Sequence, residues 1–217
     1  MTMDNITEMP ETVASDGGET VIDFIVFETE RLYCREFNID DVQAACAYMS
    51  DEENTSFMPW GLTDPDGVRS FIENKLADQI ADPRMSYAFA VCLKENSNLI
   101  GTVSVTLDER RMQGTLGYIL DKRYWGSGYA SEAVSGMLSF CFTCLDLHRV
   151  TAVCDSKNTA SEALMKRVLM RFEGEAKSAA YEKIGGRYSW RSEKHFAMLQ
   201  KEFLNRLYES EQDRSGG

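Results

Sequence analysis

The sequence contains no apolar run near the ~18 residues a membrane-spanning helix requires. Its N-terminus has neither a basic segment nor an apolar core of the secretory kind, so a soluble, cytoplasmic protein is expected, with no membrane partner. Basic residues are few: 23 Lys and Arg face 35 Asp and Glu, a formal charge of −12. Broad nucleic-acid binding needs clustered Lys and Arg and is excluded on that ground. The balance suits a cationic acceptor better. Part of the imbalance belongs to residues 1–20, where Asp4, Glu8, Glu11, Asp16 and Glu19 lie beside no base. Histidines number two, His148 and His195. The six cysteines fall inside apolar patterns, as reduced, buried thiols do. Cys141 and Cys144 have CxxC spacing near the end of an amphipathic helix, but no second ligand pair accompanies them, so no metal is expected.

What is present fits one well-cored domain. The chain has 217 residues, 43% apolar and 27% charged. Residues 1–20 are acidic and Gly-containing and read as a flexible tail, residues 21–205 as the domain, and 206–217 as a C-terminal tail. A first strand is expected within Val21 to Phe37. Asn38 or Asp40 can cap a helix carrying Val42, Ala45, Cys46 and Met49 on one face. Asp64-Pro65 opens a second helix, with Val68, Phe71, Ile72, Leu76 and Ile80 inward and Pro83 as its stop. Between them Phe57-Met58-Pro59-Trp60-Gly61 either walls a substrate pocket or staples the helices, with Trp60 the candidate substrate contact. Tyr87–Leu93 and Thr102–Leu107 alternate strictly, which predicts an antiparallel hairpin with one wet and one dry face. Gln113–Leu120 adds a strand.

The stretch Trp125-Gly126-Ser127-Gly128-Tyr129-Ala130-Ser131-Glu132-Ala133 follows that strand and opens a helix to Leu145 with Ala133, Val134, Met137, Leu138 and Cys141 inward. A strand that empties through Gly-x-Gly into a helix leaves the first N–H groups of that helix unpaired, with the positive end of its dipole behind them. Such a turn suits a phosphate. Val150–Cys154 is the next strand, and the strand, helix, strand order implies a parallel crossover. Another helix starts near Asn158, capped either by a Thr159–Glu162 box or by Asn158 itself. Strands near Arg171–Tyr181 and Tyr188–Leu199, joined at Gly185-Gly186, and a short helix over Lys201–Tyr208 complete an α/β plan.

The order of elements, together with Glu28-Thr-Glu-Arg-Leu32, Met58-Pro59-Trp60, Leu99-Ile-Gly101, Leu116-Gly117-Tyr118, Tyr124-Trp-Gly-Ser-Gly-Tyr-Ala130, Leu147-His-Arg-Val150, Asn158-Thr-Ala-Ser161 and Phe172-Glu-Gly174, resembles the GNAT (Gcn5-related) N-acetyltransferase superfamily from about Phe27 to Phe203. The likeness is greatest to the branch holding the ribosomal-protein and protein N-terminal acetyltransferases. It implies a single-domain acyl-CoA N-acyltransferase fold: a mixed, mostly antiparallel sheet with one splayed parallel pair, flanked by helices. The family signature Gln/Arg-x-x-Gly-x-Gly/Ala fits in two frames, starting at Arg123 or at Trp125, and the branch's pattern favours Trp125.

By that resemblance the co-substrate is acetyl-CoA and the acceptor an amine, either a peptide N-terminus or a small molecule. Gly126, Ser127, Gly128, Tyr129, Ala130 and Ser131, with Trp125 at the head of the signature, would hold the pyrophosphate. Ile119 and Leu120 would offer backbone to pantetheine, Asn158 would contact the coenzyme, and Ser161 would hydrogen-bond or protonate the departing thiolate as the catalytic residue. The chain departs from the family at three places. Met165 stands where a tyrosine acid is frequent, Thr115 where a glutamate base is frequent, and Leu169 where relatives end the helix in Gly. The base is therefore open between a desolvated pocket and a water chain to an Asp or Glu elsewhere. Arg187 to Lys194 lacks the branch's frequent aspartate, and His148 and His195 read as structural. An acyl-CoA-binding module without catalysis, or an interaction protein with an empty turn, are the competing functions. A monomer and a homodimer formed through the last strand or a sheet edge both stay open.

Overall fold

The computed structural model describes residues 25–184 and 187–215. The tail expected over residues 1–20 and the Gly185-Gly186 turn lie outside them. The first strand region is a hairpin of β1 (Ile25–Glu28) and β2 (Leu32–Glu36), followed by α1 (Val42–Met49). Of the two cap candidates Asn38 is the one used: its side chain accepts from the Asp40 N–H, opening a 3-10 turn that leads into α1. A four-residue helix, α2 (Glu52–Thr55), comes next and was not anticipated, because one turn is too short to show periodicity. In α3 (Pro65–Gln79) Asp64 accepts from the Gly67 N–H and Pro65 stands at the start, as the dipeptide predicts. The helix ends before Ile80, which is exposed rather than on the inner face.

β3 (Ser86–Leu93) and β4 (Leu99–Leu107) form the expected antiparallel hairpin, but not with one wet face. Helices cover both sides, so the alternation divides the strand between two cores. Phe89, Val91 and Leu93 join the cluster beneath α4 (Tyr129–Thr143), while Ala88, Ala90 and Cys92 join the one beneath α1 and α3. Small residues on the second face let α1 lie close, and the Tyr48 hydroxyl there meets Thr102 Oγ1 at 2.8 Å. The inner stripe of α4 packs as its period predicts. Gly136 lets it sit against Phe27, since a Cβ would stand 2.5 Å from that ring.

β5 (Gln113–Leu120), β6 (Arg149–Asp155), α5 (Thr159–Arg167), β7 (Arg171–Ile184), β8 (Arg187–Leu199) and α6 (Gln200–Ser215) complete the chain, and α6 runs past the Tyr208 limit expected of it. Among the described residues eight strands lie in the order β1-β2-β3-β4-β5-β6-β8-β7, antiparallel throughout except for β5 and β6. Cys144 is exposed and Cys46 partly so, against the expectation that all six thiols are buried. No helix among the described residues is long and apolar enough to cross a membrane.

Candidate functional site

The parallel ladder between β5 and β6 is short. Its paired residues run from Gln113 opposite Arg149 to Leu116 opposite Ala152, yet β5 continues to Leu120 and β6 to Asp155. Beyond Leu116 the two strands part, and each stays paired on its other side, β5 to β4 through Leu120 and β6 to β8 through Asp155. On the side that faces β6, residues 117–120 therefore have no partner strand, the kind of edge an extended ligand can join as an added strand. Ile119 and Leu120 lie on it. The Leu120 carbonyl also accepts from Asn54 Nδ2 and Trp125 Nε1, and Asn54 Oδ1 accepts from the Lys122 N–H at 3.1 Å. Buried Asn54 thus ties α2 to the end of β5, and Trp125 latches the glycine turn to the same carbonyl.

Gly126 and Gly128 have φ of +76° and +84°, a left-handed region costly to residues with a Cβ. Nothing stands within 4 Å of where a Cβ of Gly126 would be. Gly128 is the N-cap of α4 and supplies no side-chain cap, so the opening N–H groups of the helix face outward without an intrahelical acceptor. Two guanidinium groups flank this turn. Arg31 donates to the Ser127 carbonyl (3.0 Å), pairs with Glu132 (2.7 Å) and lies 4.3 Å over the Tyr129 ring. Arg167 donates to Ser131 Oγ at 2.9 Å. Glu132 also accepts from the Thr29 hydroxyl and the Arg31 N–H, both at 2.6 Å. Burial opposes its ionisation, but these donors outweigh burial and hold its carboxyl below the usual range. The Glu28–Leu32 motif is thus the brace of the glycine turn, a role its sequence position did not disclose. Arg123, at the head of the other signature frame, turns to buried Asp121.

At the far end of β6, Asn158 caps α5 by accepting from the Ser161 N–H at 3.0 Å. The Thr159–Glu162 box does not form; Glu162 pairs instead with Lys166 and Lys194. Ser161 is buried, and its Oγ accepts a 2.9 Å hydrogen bond from the Tyr118 hydroxyl. Burial pushes the Tyr118 phenol up to about 12, partly offset by the bond to Ser161, so the phenol keeps its proton at neutral pH. Burial likewise raises the Cys154 thiol, against a smaller effect of its contact with Ser161. Tyr118, part of Leu116-Gly117-Tyr118, is a site residue the sequence reading did not single out. Met165 is fully buried, and Thr115 meets Thr151 at 3.3 Å, so neither position carries a titrating group. His148 and His195 line no part of the cleft described next; His195 lies 3.7 Å from Glu193.

On the α1 and α3 side of β4 and β5 lies a cleft of about 140 Å³, bounded by Met49, Trp60, Phe71 and Lys75, with Ser104 on β4 and Gly117 on β5 in its floor. Trp60 forms part of its wall. The lining holds hydroxyls from Ser86, Thr102, Ser104 and Thr106, and Lys75 but no carboxylate. The acidic balance of the whole chain is not gathered here. Among the described residues no group of three or more His, Cys, Asp or Glu is arranged to hold a metal.

A family model described as acetyltransferase (GNAT) domain matches residues 31–171. The uncharacterized N-acetyltransferase p20 of Bacillus licheniformis is 32% identical over 161 residues, 73% of this chain and 88% of that protein. A GNAT-family acetyltransferase structure from Bacillus anthracis superposes with a TM-score of 0.71 at 28% identity, covering 80% of this chain and 98% of its own. The structure of RimL, a ribosomal L7/L12 alpha-N-protein acetyltransferase in complex with coenzyme A, gives a TM-score of 0.69 at 18% identity over 81% and 97% of the two chains, a likeness of fold.

Proposed function

Since the chain belongs to the GNAT acetyltransferase family and is an acyltransferase, we propose that it transfers the acetyl group of acetyl-CoA directly to a primary amine, a peptide N-terminus or a small molecule. The observation that carries this reading is the alignment of an uncapped, glycine-opened helix with a strand edge that loses its parallel partner beyond Leu116. The residues present fit the coenzyme: N–H groups of Tyr129 to Ser131 and the two left-handed glycines for its pyrophosphate, the 117–120 edge for its pantetheine, and Asn158 at the start of α5 for a further contact. RimL, which shares the fold, was solved with coenzyme A bound.

Ser161 takes the part of proton donor to the departing thiolate. Because its oxygen accepts from Tyr118, its own hydrogen is not used in that bond, and a hydroxyl already accepting a hydrogen bond donates more strongly. Tyr118 can then return a proton to Ser161, so the pair replaces the acid missing at Met165. No carboxylate lines the cleft as a base, so the acceptor amine must arrive neutral or lose its proton to water. Calorimetry with acetyl-CoA and a thiol-release assay over amines and N-terminal peptides test the proposal. Tight coenzyme binding without thiol release from any acceptor would favour a binding module instead, the reading that Met165 and Thr115 support.

A further inference from the structure

Arg191 on β8 occupies a position no part of the transfer chemistry above uses. Its Nε donates to the Asp155 carboxylate, its side chain is only 10% exposed, and its guanidinium lies 5.5 Å over the Phe57 ring. Its Nη1 is buried and has no hydrogen-bond partner among the described residues. Folded proteins seldom leave such a donor unpaired, because burial strips it of water without replacing the bond. An orphaned, buried N–H of a permanently charged group is a built binding point for an oxygen acceptor.

Its surroundings say which ligand that is. Asp155 is the last residue of β6, where the split from β5 is open, and its carboxylate and carbonyl accept from Lys157 and from Asn158 (2.9 Å). This corner launches α5 with Ser161 at its first turn. The Ser156 N–H donates to the Ser192 carbonyl at 2.8 Å, so β8 is clamped to the same corner. Phe57, across the guanidinium, begins the loop whose Trp60 lines the cleft. Arg191 therefore stands between the thiolate-binding corner and the acceptor loop. The charged group of the cleft lining is Lys75, again a cation. A second or third ammonium on an acceptor would meet like charge here, and the carboxylates beside these cations, Asp78 and Asp155, are already paired with Lys75 and Arg191.

We propose that Arg191 is a specificity-determining residue that donates its free N–H to a carbonyl or carboxylate oxygen next to the reacting amine, so that the enzyme selects α-amines flanked by such an oxygen over carbonyl-free alkylamines and polyamines. The inference rests on the acetyl-transfer reading and narrows its acceptor. It also opposes the cationic acceptor suggested by net charge.

The test measures thiol release by the full chain with acetyl-CoA and four acceptors: a peptide with a free N-terminus, a free amino acid, an alkylamine of matched length without a carbonyl, and spermidine. The wild type should show a KM at least tenfold lower for one or both carbonyl-bearing acceptors, and the comparison between those two tells a polypeptide from an amino acid. R191Q should raise that KM about tenfold, leaving kcat and the acetyl-CoA Kd unchanged, and R191K, which keeps the ion pair to Asp155, should recover part of the loss. Equal KM values across the panel in the wild type overturn the proposal without requiring any variant to fold. So does an R191Q enzyme with undiminished selectivity. Coenzyme binding with no thiol release from any acceptor overturns the transfer reading and this one with it, whereas release from every amine alike overturns this one alone.

Discussion

On one side of the β5–β6 split, the glycine turn is held from several directions: Arg31 grips the Ser127 carbonyl, Glu132 gathers Thr29 and Arg31, Trp125 hangs on Leu120, and Arg167 reaches Ser131. On the other side, the aromatic loop and the outer part of the β7–β8 hairpin are loosely tied. Trp60, Tyr181, Tyr188 and Trp190 are exposed, and the Tyr181 ring stacks on Tyr188 at 5.4 Å and lies tilted against Trp190 at 5.0 Å. A pyrophosphate at the turn would be held through backbone N–H groups, whose positions depend on φ and ψ, so such a site needs a rigid frame. An acceptor site is read through side chains, and these can be exposed and few. The contrast predicts that changes at the turn alter coenzyme affinity and leave acceptor selectivity alone, and that changes on the other side do the reverse.

The sharpest test is Ser161→Ala, at the meeting of the two sides. It should lower kcat by about 100-fold while the acetyl-CoA Kd by calorimetry stays constant; an unaltered kcat would remove Ser161 from the mechanism. Gly128→Ala places a Cβ at φ +84°, 3.4 Å from the Arg31 guanidinium. It should weaken acetyl-CoA binding about tenfold without shifting relative KM values among acceptors. Tyr118→Phe should cost roughly three- to tenfold in kcat, the share of one supporting hydrogen bond. With the phenol at about 12, the wild-type profile should show rising kcat/KM as the acceptor amine deprotonates and no loss from Tyr118 below about pH 10.

Stability should respond more mildly. The depressed Glu132 carboxyl gives a contribution present above its ordinary pKa of 4.5 and lost as pH falls through the lower folded value, so acid unfolding of E132Q should begin from a lower base yet depend less on pH. The smallest effect is expected behind the turn, at the end of α5. Leu169 holds φ +65° where the helix closes through the Met170 N–H to the Met165 carbonyl at 2.9 Å, so the strain is kept rather than the turn changed. Leu169→Gly should raise stability by about 1 kcal/mol in denaturant titration with no change in coenzyme affinity.

Much of the glycine-turn side was legible in the chain, because its parts are consecutive. Strand, Gly-x-Gly, an apolar stripe of period 3.6 and a second strand lie within Gln113 to Asp155, and each follows from local hydrogen bonding and spacing. The acceptor side was less legible. Trp60 could be singled out only as one of two readings, α2 was too short for a pattern, and Tyr118 and Arg191 gave no signal of their own. The hairpin alternation misled for a physical reason: Ala and Cys are small enough for either a wet face or a close-packed one, and only the helix laid on them decides.

By itself, then, the sequence determined the elements that short-range geometry controls: where strands alternate, where glycine frees φ, and where a helix opens without a side-chain cap. Tertiary structure decided how far the parallel ladder runs before it parts at Leu116 and Ala152. It also decided which partners meet across long separations: Arg31 with Glu132, Asn54 with Leu120, Arg191 with Asp155. Such pairs leave no periodic trace, because their meeting depends on the packing of whole layers rather than on the spacing of neighbours along the chain.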